Sequence, residues 1–177
     1  MKDRILKWEI MGMVLITIVG SFLHFLFDIS GRLTPLALIS AVNESTWEHL
    51  KLAFWPALVF ALVEYKYIRK DTNNFMLGKT IGIYIMPSLI IVLFYGYKAI
   101  LGGDNFVLDI LIFVISVVLG QFASYKILKM HQYSSNYDRV ALIALIIATI
   151  MFSTFTFFPP QFELFRDPIS GAYGIFP

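Results

Sequence analysis

Long apolar stretches limit what this chain can fold into more than any other feature. Five such stretches, each of roughly 20 residues, are separated by short polar segments. A helix of that length spans the hydrocarbon core of a bilayer. Hydrophobic residues make up 58% of the chain and charged residues only 15%, which is too apolar for an ordinary soluble domain. The sequence therefore predicts an all-α, polytopic protein that forms a single integral membrane domain.

The boundaries of the predicted spans follow from helix start and stop signals. Ser45-x-x-Glu48 is a capping-box pattern and predicts the start of the second span. Pro159-Pro160 predicts the end of the last one. Residues 33–45 are largely apolar but too short to cross a bilayer, so they predict a short re-entrant or interfacial segment. The predicted spans are about 8–28, 46–67, 79–97, 106–125 and 140–158, followed by a tail at 159–177.

Charge and composition exclude several classes of function. The formal net charge is only +2 and the basic residues are dispersed, which argues against a nucleic-acid partner. The chain has no cysteine, so disulfides, thiolate catalysis and cysteine-bound metals are excluded. The expected partners are the lipid bilayer and a lipid or small-molecule ligand.

The distribution of lysine and arginine predicts the orientation, because cytoplasmic loops are enriched in both. With the N-terminus in the cytoplasm and the C-terminus outside, ten of the fourteen basic residues fall on the inner side and four on the outer side. We expect a plasma-membrane protein with this orientation. The four outer residues are Arg32, Lys51, Lys98 and Arg166, and the ten inner ones are Lys2, Arg4, Lys7, Lys66, Arg69, Lys70, Lys79, Lys126, Lys129 and Arg139.

A cluster of histidines and carboxylates is predicted at the outer face, near the end of the first span and the start of the second. His24, Asp28 and His49 are predicted metal ligands, since two imidazoles and a carboxylate suit catalytic zinc or non-haem iron and manganese. Glu48 or Glu44 would then act as general base. A divalent metal is the expected cofactor, with zinc favoured. His24 and His49 are predicted at similar depth and close enough to share a ligand.

Two further residues are possible members of the cluster. Ser21 lies on the same stripe of the first helix as His24 and Asp28. Asp109, about one turn inside the fourth span, is equally compatible with joining the site and with capping a helix. By contrast, Glu9 and Glu64 lie toward the cytoplasmic ends of their spans, where snorkelling pairs with basic residues are expected.

Three interpretations of the cluster remain open. The first is a metal-dependent membrane hydrolase that acts on a lipid-type substrate at the outer leaflet. The second is a carrier for an ion or small solute, although the third and fifth spans offer few polar groups to continue a path. The third is a hydrogen-bonded structural plug that anchors residues 33–45.

Three motifs of the chain resemble a family of small prokaryotic multi-pass membrane proteins of unknown function. They are His24-x-x-x-Asp28, Asn43-Glu44-Ser45-x-Trp47-Glu48-His49-x-Lys51 and Arg166-Asp167-Pro168-x-Ser170-Gly171-x-Tyr173-Gly174. The resemblance covers nearly the whole chain and implies the layout described above. It brings no activity with it.

A looser similarity links Ser21, His24, Asp28 and His49 to the membrane hydrolases that include alkaline ceramidases and adiponectin receptors. Those proteins hold zinc with histidines beside a serine and an aspartate. They have seven spans and three histidine ligands, whereas this chain predicts about five spans, with its third histidine, His131, in a loop on the opposite side. The similarity is one of residue types and implies hydrolysis only by analogy.

Overall fold

A computed structural model describes residues 3–175, so Lys2 and the last two residues of the predicted tail lie outside it. The described residues form five long α-helices and three short 3₁₀ helices. This confirms the prediction of an all-α polytopic protein. The α-helices are α1 (Arg4–Ile29), α2 (Thr46–Ile68), α3 (Phe75–Leu101), α4 (Phe106–Lys129) and α5 (Ser135–Phe157).

Four of these helices, α1, α3, α4 and α5, are long and apolar enough to cross a membrane. Helix α2 differs from them, although its 23 residues would extend roughly 34 Å at 1.5 Å per residue. It carries Glu48, Lys51 and Glu64, and all three side chains are buried inside the bundle. Helix α2 is thus the most polar of the long helices and is shielded by its neighbours.

Several helices are longer than the apolar stretches that predicted them. Helix α1 begins at Arg4, where the Asp3 side chain accepts a hydrogen bond from the Leu6 amide. Helix α5 begins at Ser135, where Ser134 caps the amide of Asn136. These polar caps start each helix before its apolar part, because a helix needs partners for its first amides rather than an apolar side chain. Apolarity alone therefore placed the two starts four to five residues too late.

Glycines allow the helices to approach closely, as is common in membrane bundles. A Cβ atom built on Gly82 of α3 would lie 2.8 Å from the Gly120 carbonyl oxygen of α4. One built on Gly20 of α1 would lie 2.4 Å from the Leu52 carbonyl oxygen of α2. Close backbone approach at these two crossings packs α3 tightly against α4 and α1 tightly against α2.

Residues 33–45 do not form a long helix. They contain a 3₁₀ helix at Thr34–Leu38, and the segment is buried on the bundle at Ala37 and Val42, which pack against Phe27 of α1. Lys51 of α2 donates to the Ala37 carbonyl at 2.7 Å. The segment is thereby fixed across the end of the bundle where α1 ends and α2 begins.

The tail after α5 returns to this same end. It includes the 3₁₀ helix Glu163–Phe165, and Phe165 is buried against the indole of Trp47 with ring centroids 4.7 Å apart. A turn follows, in which the Gly171 amide donates to the Asp167 carbonyl at 2.9 Å and Gly171 has φ of 73°. The tail therefore packs over the start of α2, next to the predicted cluster.

Candidate metal site

Three side chains meet at the end of the bundle where α1 ends and α2 begins. The Nε2 atoms of His24 and His49 lie 3.2 Å apart. Oε2 of Glu44 lies 3.4 Å from His49 Nε2 and 3.7 Å from His24 Nε2. The structure thus brings together two predicted metal ligands and one of the two predicted general bases.

The spacing of these three atoms matches what a metal ion requires. Zinc binds histidine nitrogen at about 2.0–2.1 Å and carboxylate oxygen at about 2.0–2.2 Å, usually with tetrahedral angles. Two ligand atoms of such a centre lie roughly 3.3 Å apart, as follows from those lengths and angles. The separations of 3.2, 3.4 and 3.7 Å bracket that value. One ion would therefore reach all three atoms with little movement.

Different elements of the chain supply the three ligands. His24 lies on α1, five residues before its end at Ile29, and Glu44 lies in the loop that precedes α2. His49 lies in the first turns of α2, where its Nδ1 is 2.9 Å from the Ser45 carbonyl oxygen. Because a carbonyl only accepts, Nδ1 carries a proton, so in the neutral ring Nε2 is the nitrogen whose lone pair is free for a metal ion. The Nδ1 of His24 is buried without a hydrogen-bond partner among the described residues.

The cluster is partly open to its surroundings. The side chains of His24 and His49 are 29% and 33% exposed, and that of Glu44 is 44% exposed. Interaction with the imidazoles of His24 and His49 holds the pKa of the Glu44 carboxyl well below its usual range. Glu44 is therefore ionised and offers a full negative charge to a cation. Three protein ligands with an open side are typical of catalytic metal sites, whereas structural zinc sites have four.

The loop that carries Glu44 is tied to the tail by two hydrogen bonds. The Glu44 amide donates to Oδ1 of Asp167 at 3.2 Å. The neighbouring Asn43 donates from Nδ2 to the Gly174 carbonyl at 2.9 Å. The two motifs singled out in the sequence, near residues 43–51 and 166–174, therefore contact each other directly.

Glu48, the other predicted base, lies in a separate buried network. Its Oε2 is 2.6 Å from Lys51 Nζ and accepts from the Val42 amide at 3.1 Å. Its Oε1 accepts from the Thr156 hydroxyl of α5 at 3.1 Å. Only 2% of the Glu48 side chain is exposed. Its carboxylate is fully occupied in joining α2, α5 and the segment 33–45. For Glu48, this arrangement agrees with the interpretation of a structural plug that anchors residues 33–45.

The structure does not bring the remaining predicted residues into the cluster. Asp28 is exposed one turn beyond His24, and it is not part of the potential metal-binding group found among the described residues. Ser21 is also exposed and donates to the Thr17 carbonyl of its own helix at 2.8 Å. Asp109 accepts a hydrogen bond of 2.5 Å from the Tyr97 hydroxyl, which joins α4 to α3.

A family model of unknown function, DUF6512, matches residues 1–175. The chain belongs to the DUF6512 family. No curated protein and no solved structure matches it. The match agrees with the resemblance to an uncharacterised family and does not bear on the similarity to ceramidase-type hydrolases.

Sequence reasoning missed two polar features of this DUF6512 protein. One is Asp167, whose contact with the Glu44 amide the sequence did not predict. The other is the burial of Glu9 and Glu64, which share Lys79 inside the bundle. The signal for the second was available in the sequence, since Lys79 lies among apolar residues of the third helix and needs a counter-ion there.

Proposed function

We propose that this DUF6512 protein is a membrane protein that binds a divalent metal ion through His24, Glu44 and His49. The observation that carries the proposal is the triangle of ligand atoms with sides of 3.2, 3.4 and 3.7 Å. Two imidazoles and one carboxylate form the ligand set of several catalytic zinc centres and of non-haem iron sites. Zinc is the favoured ion, and Glu44 takes the place that the sequence suggested for Asp28.

The chemistry that suits such a site best is hydrolysis. A divalent ion held by three side chains keeps positions free for water and for a substrate oxygen, and it activates both. His24 lies roughly 7.5 Å inside the end of α1 at 1.5 Å per residue, which is near the depth of lipid head groups and ester bonds. We therefore propose a lipid-type substrate. From the count of basic residues, we propose that this end of the bundle faces the outside.

A carrier is the second candidate, because a buried charged cluster also lies at the opposite end of the bundle. Glu9, Glu64 and Lys79 form it. Fifteen positions separate Glu9 from His24, which corresponds to roughly 22 Å along α1. Between the two ends, the buried side chains include the apolar Ile16 and Val117, and Ser116 of α4 adds a buried hydroxyl without a hydrogen-bond partner among the described residues. A polar path is not formed by these residues, so a one-sided metal site accounts better for the arrangement.

Metal analysis of the purified protein tests the proposal. We expect about one equivalent of zinc, iron or manganese in the detergent-purified wild type, or after titration with each ion. His24→Ala, Glu44→Ala and His49→Ala should each lower metal affinity strongly, because two ligands do not complete a catalytic site. His131→Ala is the matched control, since His131 is the remaining histidine and is exposed.

Two outcomes separate metal binding from the finer proposal. A folded wild type that binds none of the three ions overturns the metal site and favours the structural plug. In that case, the histidine variants would only lower stability, by about 1–3 kcal/mol for each buried partner left unsatisfied. Stoichiometric metal without metal-dependent cleavage of any lipid in a broad panel would leave the metal site in place and reject the hydrolase.

A further inference from the structure

A second group of ionisable side chains is buried at the opposite end of the bundle. Nζ of Lys79 on α3 lies 2.6 Å from Oε1 of Glu9 on α1. The same Nζ lies 2.5 Å from Oε2 of Glu64 on α2. Glu9 and Glu64 are 0% and 1% exposed, and the Lys79 side chain is 4% exposed. Two carboxylates and one ammonium group therefore share a site that is shielded from water.

Polar groups of α4 complete this site without adding charge. The Ser124 hydroxyl donates to Glu9 Oε1 at 3.0 Å. The Gln121 amide donates to the Glu9 backbone carbonyl at 3.4 Å. Among the described residues, no hydrogen bond or ion pair joins α5 to the three charged groups. Two other charged pairs at this end, Arg4 with Asp71 and Lys129 with Asp3, are more exposed.

One oxygen of each carboxylate has no partner. Glu9 Oε2 and Glu64 Oε1 are both buried and lack a hydrogen bond among the described residues. If both carboxylates were ionised, the site would carry one uncompensated negative charge as well as two unsatisfied acceptors. Burying an unpaired charge costs far more than binding a proton, so a buried group in this situation becomes neutral instead. When two carboxylates share a site, the proton belongs to the pair.

We infer that Glu9, Glu64 and Lys79 form a proton-binding site in the helix bundle, in which the two carboxylates together hold one proton at neutral pH. The proton occupies one of the two unpartnered oxygens, and the site as a whole is then uncharged. Lys79 remains charged because it contacts both acids. The inference does not depend on the metal site, which lies at the other end of α1 and α2.

Infrared spectroscopy of the full-length protein in detergent tests this inference, because a protonated carboxyl group has a C=O band that shifts in D₂O. We expect one equivalent of this band at pH 7 in the wild type. Glu9→Gln and Glu64→Gln should each abolish it, since the remaining carboxylate then pairs one-to-one with Lys79. Lys79→Met should increase it to two equivalents, because both acids lose their counter-ion.

Glu48→Gln is the matched control, since Glu48 is equally buried but has Lys51 to itself. The Glu48→Gln variant should leave the band unchanged. If Glu48→Gln does not fold, Asp104→Asn is the alternative control, because Asp104 forms an exposed pair with Lys98. A wild type without the band at pH 7 overturns the inference. So does a band that persists in either glutamine variant at position 9 or 64, because a single carboxylate facing Lys79 would then hold a proton. The two glutamine variants keep the test decisive even if Lys79→Met does not fold.

Discussion

The backbone amide of Glu44 donates a hydrogen bond to Oδ1 of Asp167 at 3.2 Å, across 123 positions of the sequence. The same carboxylate accepts from the Ser170 amide at 2.9 Å and from the Ser170 hydroxyl. Burial favours the neutral acid, but these hydrogen bonds outweigh it and lower the pKa of Asp167. An ionised residue of the tail therefore holds the loop that presents a proposed metal ligand.

We expect Asp167→Ala to weaken metal binding by about 10- to 100-fold, as is typical when a residue that orients a ligand is lost. Asp167→Asn keeps an oxygen acceptor for the Glu44 amide and should restore most of the affinity. Glu163→Ala is the control in the same tail, because its side chain is 73% exposed. Titration of each variant with the ion that the wild type binds measures the three metal affinities. Equal affinity of Asp167→Ala and wild type would show that the tail does not position Glu44.

The buried pair of Glu48 and Lys51 makes a separate prediction about stability. Removing one partner leaves a buried charge uncompensated, so Lys51→Met should lower the free energy of unfolding by about 3–5 kcal/mol. Glu48→Gln should have a similar effect. The double variant should lose clearly less than the sum, because the unpaired charge is then gone. Chemical unfolding in detergent measures the four proteins, and strictly additive losses would contradict an energetic coupling between the two residues.

Two glycine substitutions on α3, one at the contact with α4 and one away from it, test how closely these helices pack. Gly82→Ala places a methyl group 2.8 Å from the Gly120 carbonyl, so the helices must separate slightly. We expect a loss of about 1–3 kcal/mol, the usual cost of overpacking. Gly96→Ala, also on α3, meets no atom within 4 Å and should be neutral or stabilising by up to about 1 kcal/mol. Equal thermal stability of the two variants would argue against close packing at Gly82.

The proposed orientation rests on the distribution of basic residues along the sequence. Lys51 and Lys79 are buried, which leaves nine basic residues on the proposed inner side and three on the outer side. Reporter fusions after Asn74, Asp104, Ser135 and Pro177 should read inside, outside, inside and outside. A cytoplasmic signal at Pro177 would reverse the proposed position of the metal site.

The sequence was sufficient to predict the five helices but not the rotation of each helix about its axis. Apolar length and capping residues placed the five helices, and they put His24 and His49 at similar depth. The direction of the Glu48 side chain could not be predicted. A glutamate is expected near a helix start whether its side chain is exposed or buried, so the capping pattern does not distinguish the two. Glu9 and Glu64 were interpreted as snorkelling residues for the same reason. The rotation of α1 to α3 depends on side-chain packing between helices distant in sequence, and that packing turns both acids toward Lys79.

Helix α2 has a consequence for how the protein is made. Helices enter the membrane largely one after another during synthesis. Each acidic or basic residue in a helix makes the free energy of its insertion into lipid less favourable. Helix α2 carries Glu48, Lys51 and Glu64, and its partner for Glu64 is Lys79, which is synthesised later on α3. We therefore expect α2 to insert stably only after α3 supplies that counter-ion. A nascent chain truncated after α2 should insert poorly, and extension through Lys79 should rescue it.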